Sequence, residues 1–145
     1  MAMNALPFSS PISTAISPDE RFVAVHRALG REDNSWDVEA MPLAGGPLIP
    51  LCSGWCDVDW SRDGKAIYFY WRLATGNADQ RTYMIPLAPG SDLPKIPSGG
   101  FKSESELRKV ATNVLHVTVS PGPTSSSYCF SEGTSHLNLY RVPLE

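Results

Sequence analysis

The sequence predicts an all-β fold built from repeated four-stranded antiparallel units, with one short inserted helix. Three observations support this prediction. Two apolar runs flank a turn containing Ser-x-Asp at Ser17 and again at Ser61. An apolar residue followed by Pro-Leu recurs after each hairpin, at Pro42 and Pro86. The 145 residues also include 13 Pro and 11 Gly, which favours many turns and few long helices.

The clearest unit is the hairpin of residues 55–71. Cys56, Val58 and Trp60 alternate with two aspartates, the period-2 pattern of a strand with two unlike faces. Residues 61–64 are Ser, Arg, Asp and Gly, which is the chemistry of a tight turn. Residues 67–71 are Ile and aromatic residues without interruption, which predicts a strand buried on both faces.

The turn serine and the Pro-Leu pair recur at a nearly constant distance from each other along the chain. From the turn residues Ser17, Ser61 and Ser120, the Pro of the Pro-Leu landmark follows at offsets of 25, 25 and 23 residues. Successive turns are 44 and 59 residues apart. A period in the forties with four antiparallel strands is typical of a β-propeller blade. The sequence therefore predicts about three blades, which make a half-propeller.

The apolar runs set the predicted boundaries. Blade 1 covers residues 11–53, blade 2 covers 54–98, and blade 3 covers 113–145 and is completed by a strand at 5–10. The predicted strands are 12–16, 22–26, 36–41 and 48–52; then 56–60, 67–71, 81–85 and 93–96; then 114–119, 128–131 and 137–142. In the third hairpin Gly122-Pro123 replaces Asp-Gly, which predicts a longer turn through residues 124–127.

An insertion at residues 99–112 separates the second and third units. Ser103 and Glu106 match a capping box, and Leu107, Val110 and Ala111 give a short apolar stripe. We expect a helix of about two turns over 103–111, placed between blades and outside any sheet.

Charge and hydropathy narrow the partner classes. A net charge of −3 gives no electrostatic basis for binding nucleic acid or anionic membranes. No stretch approaches the ~20 apolar residues of a membrane span, and residues 1–7 lack the pattern of a signal peptide. We therefore expect no membrane insertion.

The three cysteines, Cys52, Cys56 and Cys129, do not form a disulfide framework. We expect reduced, partly buried thiols that act as small hydrophobic residues. A Cys52–Cys56 bridge is the alternative if the chain is exported. Zinc binding has little support, because no second Cys pair or His cluster is present.

The hairpins resemble those of a known family. Residues 16–19 (Ile-Ser-Pro-Asp) and 60–64 (Trp-Ser-Arg-Asp-Gly) resemble the Trp-Ser-Pro-Asp-Gly hairpin of TolB-like propellers, also called WD40-like or PD40 repeats. Residues 97–101 and 138–144 look like the C-terminal end of bacterial sensor proteins, in which a serine/threonine kinase or winged-helix domain precedes the propeller. The resemblance implies a recognition or scaffolding module with catalysis elsewhere. The cytoplasm is slightly favoured as the compartment, and the periplasm is the alternative if the parent is a membrane sensor.

No kinase motif and no Gly-x-Ser-x-Gly elbow occurs in the sequence, so we expect no catalytic residue and no cofactor. Exposed loops at the rim of the blades and aspartates on an innermost strand are the best binding candidates. These residues are Trp71, Arg72, Asn77, Asp79, Arg31, Asp33, Asp57 and Asp59. The alternative function is an enzyme or metal-binding protein with Asp57, Asp59 and His116 in the propeller channel.

Three blades cannot close a ring, since propellers have about 4–8. Two copies make six, and the strand at 5–10 of one copy could complete blade 3 of the other. The sequence therefore predicts a two-fold homodimer closed by strand exchange. The alternative is that the missing blades belong to a longer parent.

The molecule that the predicted recognition module binds is either a protein or a small ligand, and the sequence does not identify it.

Overall fold

The computed structural model describes residues 15–28, 36–72 and 80–130, which form three antiparallel sheets and one short helix. The predicted all-β class with one helix is confirmed. The sheets have four, four and two strands, and none of them is closed. The elements are β1 Ala15–Ile16, β2 Phe22–Ala28, β3 Trp36–Pro42, β4 Ile49–Gly54, β5 Cys56–Trp60, β6 Ala66–Arg72, β7 Gln80–Pro86, α1 Glu104–Val110, β8 Asn113–Leu115, β9 Ser120–Pro121 and β10 Tyr128–Cys129.

The first sheet runs β1-β2-β3-β4, so each strand pairs with its neighbour in sequence. β2 and β3 stay in register from Phe22↔Pro42 to Ala28↔Trp36. Val38 and Ala40 alternate along β3 and are fully buried in the main core. The register between β3 and β4 shifts at Val38/Glu39, a β-bulge or similar irregularity of the ladder.

The Ser-x-Asp turns make the same hydrogen bonds in both hairpins. Ser17 Oγ donates to Asp19 Oδ1 at 2.8 Å and accepts the Phe22 N–H at 2.9 Å. Ser61 Oγ donates to Asp63 Oδ1 at 2.7 Å and accepts the Ala66 N–H at 2.9 Å. Both serines are buried. The serine of the motif thus accepts a backbone N–H group that the tight turn shields from water.

The two turns differ at their fourth residue. Gly64 has φ of 66°, and Glu20 adopts nearly the same left-handed conformation with φ of 60°. A non-glycine residue in this region costs about 1–2 kcal/mol. Glu20 is exposed, so its side chain has no buried packing to lose.

We expect Glu20→Gly to raise the free energy of unfolding by up to about 1 kcal/mol, because relief of strain exceeds the extra backbone entropy of glycine. Chemical denaturation measures this change. The reciprocal variant Gly64→Glu should lower the free energy of unfolding by a similar amount. The cost there is backbone strain without a steric clash, because a Cβ at Gly64 would meet only Pro18, at 4.0 Å. A loss of stability in Glu20→Gly would contradict the strain argument.

The second sheet runs β5-β6-β7-β8, and its fourth strand is not the predicted one. Residues 93–96 form no strand. Instead β8 pairs with β7, from Thr82↔Leu115 to Met84↔Asn113. The predicted strand 114–119 of the third unit is therefore wrong, since its first residues belong to the second sheet. The insertion at 99–112 consequently lies between two strands of one sheet, not between units.

The third sheet is a short hairpin of β9 and β10, with Pro121 opposite Tyr128. Its turn is long, as predicted: the Gly122 N–H donates to Ser127 O at 2.8 Å and the Ser127 N–H to Thr124 O at 3.0 Å. The rest of predicted blade 3 and the strand at 5–10 lie outside the described residues.

The third hairpin is held against the turn of the second. The Ser125 N–H donates to Asp63 Oδ2 at 2.8 Å, and the Tyr68 hydroxyl donates to Ser125 O at 3.2 Å. The Ser125 N–H and the Ser61 hydroxyl lower the pKa of Asp63 to about 2. The stabilisation from this carboxylate is therefore complete above the unfolded-state pKa of about 3.9 and is lost as the pH falls towards 2.

Phe101, which precedes the predicted helix, links the two large sheets. The Phe101 N–H donates to Leu51 O at 2.9 Å, and the Ser53 N–H donates to Phe101 O at 3.0 Å. These bonds make a one-residue parallel bridge to β4. The Phe101 ring packs edge-on against Phe69 of β6 at 5.2 Å. Phe101 is thus part of the core, whereas the helix that follows it lies outside the sheets, as expected.

Helix α1 confirms the predicted helix, but its predicted serine cap is wrong. Ser103 makes no side-chain cap hydrogen bond; its Oγ is 2.9 Å from Ser105 Oγ. Glu106 Oε2 accepts the Lys102 N–H at 2.7 Å, so only the glutamate half of the box forms, displaced by one residue. The fully buried Leu107 is the main apolar anchor.

Glu104 fixes the helix to the second sheet. Both of its carboxylate oxygens are 3.2 Å from Arg81 Nη1, and Tyr83 donates its hydroxyl to Glu104 Oε1. Burial, reinforced by the Glu104 carboxylate, raises the pKa of Tyr83, so the phenol stays a donor. The residue that holds the helix is therefore Glu104, in the first turn.

We expect Glu104→Ala to lower the free energy of unfolding by about 1.5–3 kcal/mol, the usual range for losing hydrogen bonds to a charged group. Ser103→Ala should cost less than about 0.5 kcal/mol, because no cap is lost. Urea denaturation of both variants measures the difference. Equal losses, or a larger loss in Ser103→Ala, would show that the serine caps the helix after all.

Candidate functional site

Cys52 and Cys56 form a disulfide with a Cα–Cα distance of 6.4 Å, which overturns the expectation of reduced thiols at these positions. It joins the end of β4 to the start of β5, and both residues are fully buried. The spacing of the two cysteines allowed the bridge but could not decide it. Cys129 is a free thiol, and it is exposed where partial burial was expected.

Beside this disulfide, a pocket of about 260 Å³ opens where the three sheets meet. We call it the aromatic pocket. Its chemically distinctive lining residues are Trp36, Trp55, Tyr70, Trp71, Asp57 and Arg72. The first sheet supplies Trp36, the second supplies most of the others, and residues 118–120 close one side. The aromatic side chains are half-buried and Arg72 is exposed, so the pocket is open to solvent.

The aromatic walls are held in place by local contacts. Trp36 Nε1–H donates to Cys56 O at 2.6 Å, and the Trp36 ring packs edge-on against Trp55 at 5.0 Å. Trp55 lies in the short connection between β4 and β5, where Gly54 has φ of 108° and turns the chain. The Arg72 N–H donates to Trp55 O at 2.8 Å. The pocket is therefore largely pre-formed.

Asp57 contributes a carboxylate next to a buried histidine. His26 Nε2 on β2 is 3.1 Å from Asp57 Oδ1, and the His26 side chain is 5% exposed. The same oxygen accepts the Val58 N–H at 2.8 Å. Within the described residues neither ring nitrogen of His26 makes a well-directed hydrogen bond, so this contact becomes an ion pair only when the imidazole is protonated.

The alternative function grouped a different histidine, His116, with Asp57 and Asp59. His116 directly follows β8, which is the edge of the second sheet opposite β5, and it is exposed. Asp57, Asp59 and His116 therefore do not converge on one site. His26 was missed because its approach to Asp57 depends on how the first sheet packs on the second, and no local pattern reports this.

Asp59 lies two residues further along β5 and lines a different cavity, of about 490 Å³, with Arg62 and Pro121. Burial raises the pKa of Asp59, and the charge of Asp57 raises it further. Tyr70 sits opposite Asp57 on β6, and burial together with the two aspartates raises its pKa strongly. Tyr70 therefore keeps its proton and can donate a hydrogen bond.

The structure brings together three of the predicted binding residues, Trp71, Arg72 and Asp57. Four others lie outside the described residues: Asn77, Asp79, Arg31 and Asp33. Sequence reasoning missed Trp36, Trp55 and Tyr70 as site residues, and their aromatic character was the only available sign.

Two further findings concern residues 15–28, 36–72 and 80–130. No three His, Cys, Asp or Glu side chains there are grouped to hold a metal ion. The single helix in these ranges has seven residues and is too short to cross a membrane.

Comparisons with protein-family models, with curated proteins and with solved structures returned no match. The resemblance to TolB-like propellers therefore rests on the sequence motifs alone.

Proposed function

We propose that this chain is a non-catalytic recognition module that binds a ligand, or one group of a partner, in the aromatic pocket. The observation that carries the proposal is the convergence of three tryptophans, a tyrosine, a carboxylate and a guanidinium on one pre-formed cavity. Apolar pockets with a few fixed polar groups are the usual form of ligand sites. Trp, Tyr and Arg are also the residues enriched at binding hot spots.

We further propose that the two large sheets are propeller blades of the TolB-like type, in the sensor part of a larger bacterial signalling protein. Their strands follow one another in sequence order, and their first turns share the same serine-centred hydrogen bonds. Both features support successive copies of one unit. The catalytic or DNA-binding step would then belong to another domain of the parent.

The homodimer remains part of this proposal. The described sheets are open, and Phe130, the last described residue, is 55% exposed beside Tyr128 at 39%. A second copy that completes a six-bladed ring would cover such surface. Light scattering at micromolar concentration should give the mass of two chains, and deletion of residues 1–10 should weaken the assembly. A stable monomer would refute the dimer and leave the pocket proposal intact.

A thermal-shift screen of small polar, aromatic and cationic compounds tests the pocket. At least one class should raise the Tm of the full chain; a ligand at 100 times its Kd adds about 2.7 kcal/mol. The shift should disappear in Trp71→Ala and persist in Val110→Ala, which truncates an exposed apolar residue that is absent from the pocket lining. If no compound gives a shift that depends on Trp71, the proposed function fails.

A further inference from the structure

We propose that the ligand of the aromatic pocket is a neutral carbohydrate, with one sugar ring lying against the tryptophan walls. This inference rests on the proposed function and names its ligand class. The argument has four parts: the size of the pocket, the chemistry of its walls, the balance of its charges and its rigidity.

The size fits one ring. The pocket volume of about 260 Å³ lies just below the ~300–1,000 Å³ of cavities that hold drug-sized molecules. A single saccharide ring is smaller than such molecules. The open side of the pocket leaves room for a chain of sugars to continue into solvent.

The walls fit the apolar face of a sugar. Trp36, Trp55 and Trp71 are half-buried, so each keeps part of its indole surface exposed. The π face of an aromatic ring is electron-rich. The axial C–H bonds on one face of a pyranose carry small positive charges, and they therefore pack well on an indole. Burying this apolar face also gains hydrophobic free energy.

The charges argue against an ionic ligand. Asp57 and Arg72 line the same pocket and have opposite charges, so no net field favours a cation or an anion. Arg72 would repel a quaternary ammonium, which an aromatic cage otherwise suits. Asp57 would repel a phosphate. Hydroxyl groups, in contrast, both donate and accept, and they match a carboxylate and a guanidinium together.

The polar groups and walls are pre-oriented. Asp57 is held by the Val58 N–H and faces His26, and Trp36 is fixed by its bond to Cys56 O. The Cys52–Cys56 disulfide anchors the strand that carries both Cys56 and Asp57. Sugars bind weakly per contact because water competes for their hydroxyls, so a rigid site that loses little entropy is what such a ligand requires.

The test uses the full chain and two sets of probes. The first set is glucose, galactose, mannose, N-acetylglucosamine and their β-1,4-linked oligomers. The second set is tetramethylammonium, inorganic phosphate and indole. Titration calorimetry gives the affinity, and tryptophan emission reports contact with the walls, since a stacked ring should shift the emission to shorter wavelength.

We expect at least one neutral saccharide to bind more tightly than every probe of the second set. Trp71→Ala should weaken this binding about tenfold or more, as for a hot-spot residue. Trp71 also packs against the core, so a second variant at an exposed position is needed. Arg72→Gln meets this need, and we expect it to weaken saccharide binding several-fold without affecting folding. Val110→Ala, at an exposed position outside the pocket, should bind as the wild type does.

The outcomes separate the two proposals. If no saccharide binds at millimolar concentration while tetramethylammonium, phosphate or indole binds in a Trp71-dependent way, the carbohydrate inference is overturned and the recognition function stands. Saccharide binding that is unchanged in both pocket variants also overturns it. If no probe here and no compound of the thermal-shift screen depends on Trp71, both proposals fail.

Discussion

Phe101→Ala is expected to lower the free energy of unfolding by about 3–5 kcal/mol, the range for removing a buried aromatic side chain. Phe101 is 1% exposed and packs on Phe69 of the second sheet while its backbone is bonded to β4 of the first. Because the backbone is fixed on one side, the surrounding core cannot easily collapse into the space left behind. A domain of this size has a total stability of about 5–15 kcal/mol, so this loss would consume a large part of it.

Denaturation by urea, with the slope compared between variants, measures the effect. Val110→Ala is the matched control, because Val110 belongs to the same insertion and is 39% exposed. It should change stability by less than about 0.5 kcal/mol. A loss below about 1 kcal/mol in Phe101→Ala would mean that the insertion does not connect the two sheets.

Gly100→Ala should be the second most damaging change, and its neighbour offers a control that isolates the cause. Gly99 and Gly100 have φ of 80° and 81°, so an alanine is strained equally at both positions. At Gly100 a Cβ would also lie 3.0–3.1 Å from the backbone of Leu51 and Cys52. At Gly99 it would meet only the flexible end of Lys102, at 3.5 Å.

Gly99→Ala should therefore cost about 1–2 kcal/mol from the backbone conformation alone. Gly100→Ala should cost about 1–3 kcal/mol more, because an overpacked contact with the backbone of β4 cannot be relieved by a side-chain rotation. Parallel thermal and urea denaturation of the two variants gives the difference directly. Equal losses would show that β4 moves aside at little cost.

The parts of the fold that the sequence could predict are those determined within a few residues. Ser61, Asp63 and Gly64 satisfy their own turn, so the hairpin could be recognised without its surroundings. The helix was recognisable for the same reason, from the apolar stripe that includes Leu107 and from the capping-box match of Ser103 and Glu106.

Other features depend on residues far apart in sequence. The edge of β7 can pair with either of two following segments, residues 93–96 or 113–115, and no local pattern decides between them. Ser103 matched a cap motif, yet Glu104 makes the decisive contacts, with Arg81 and Tyr83 more than twenty residues away. The aromatic pocket needs Trp36 beside Trp71, which requires knowing how the sheets pack.

The path of the chain through the second sheet has a consequence for cooperativity. Between β7 and β8, which are adjacent in that sheet, the chain leaves to place Phe101 on the first sheet and then returns. In the native state the last strand of the second sheet thus follows a segment that is hydrogen-bonded to the first sheet. Units that contact only their neighbours through side chains can melt one after another. This crossing couples the two sheets through shared backbone hydrogen bonds, and it makes a single all-or-none transition the natural unfolding behaviour of the pair.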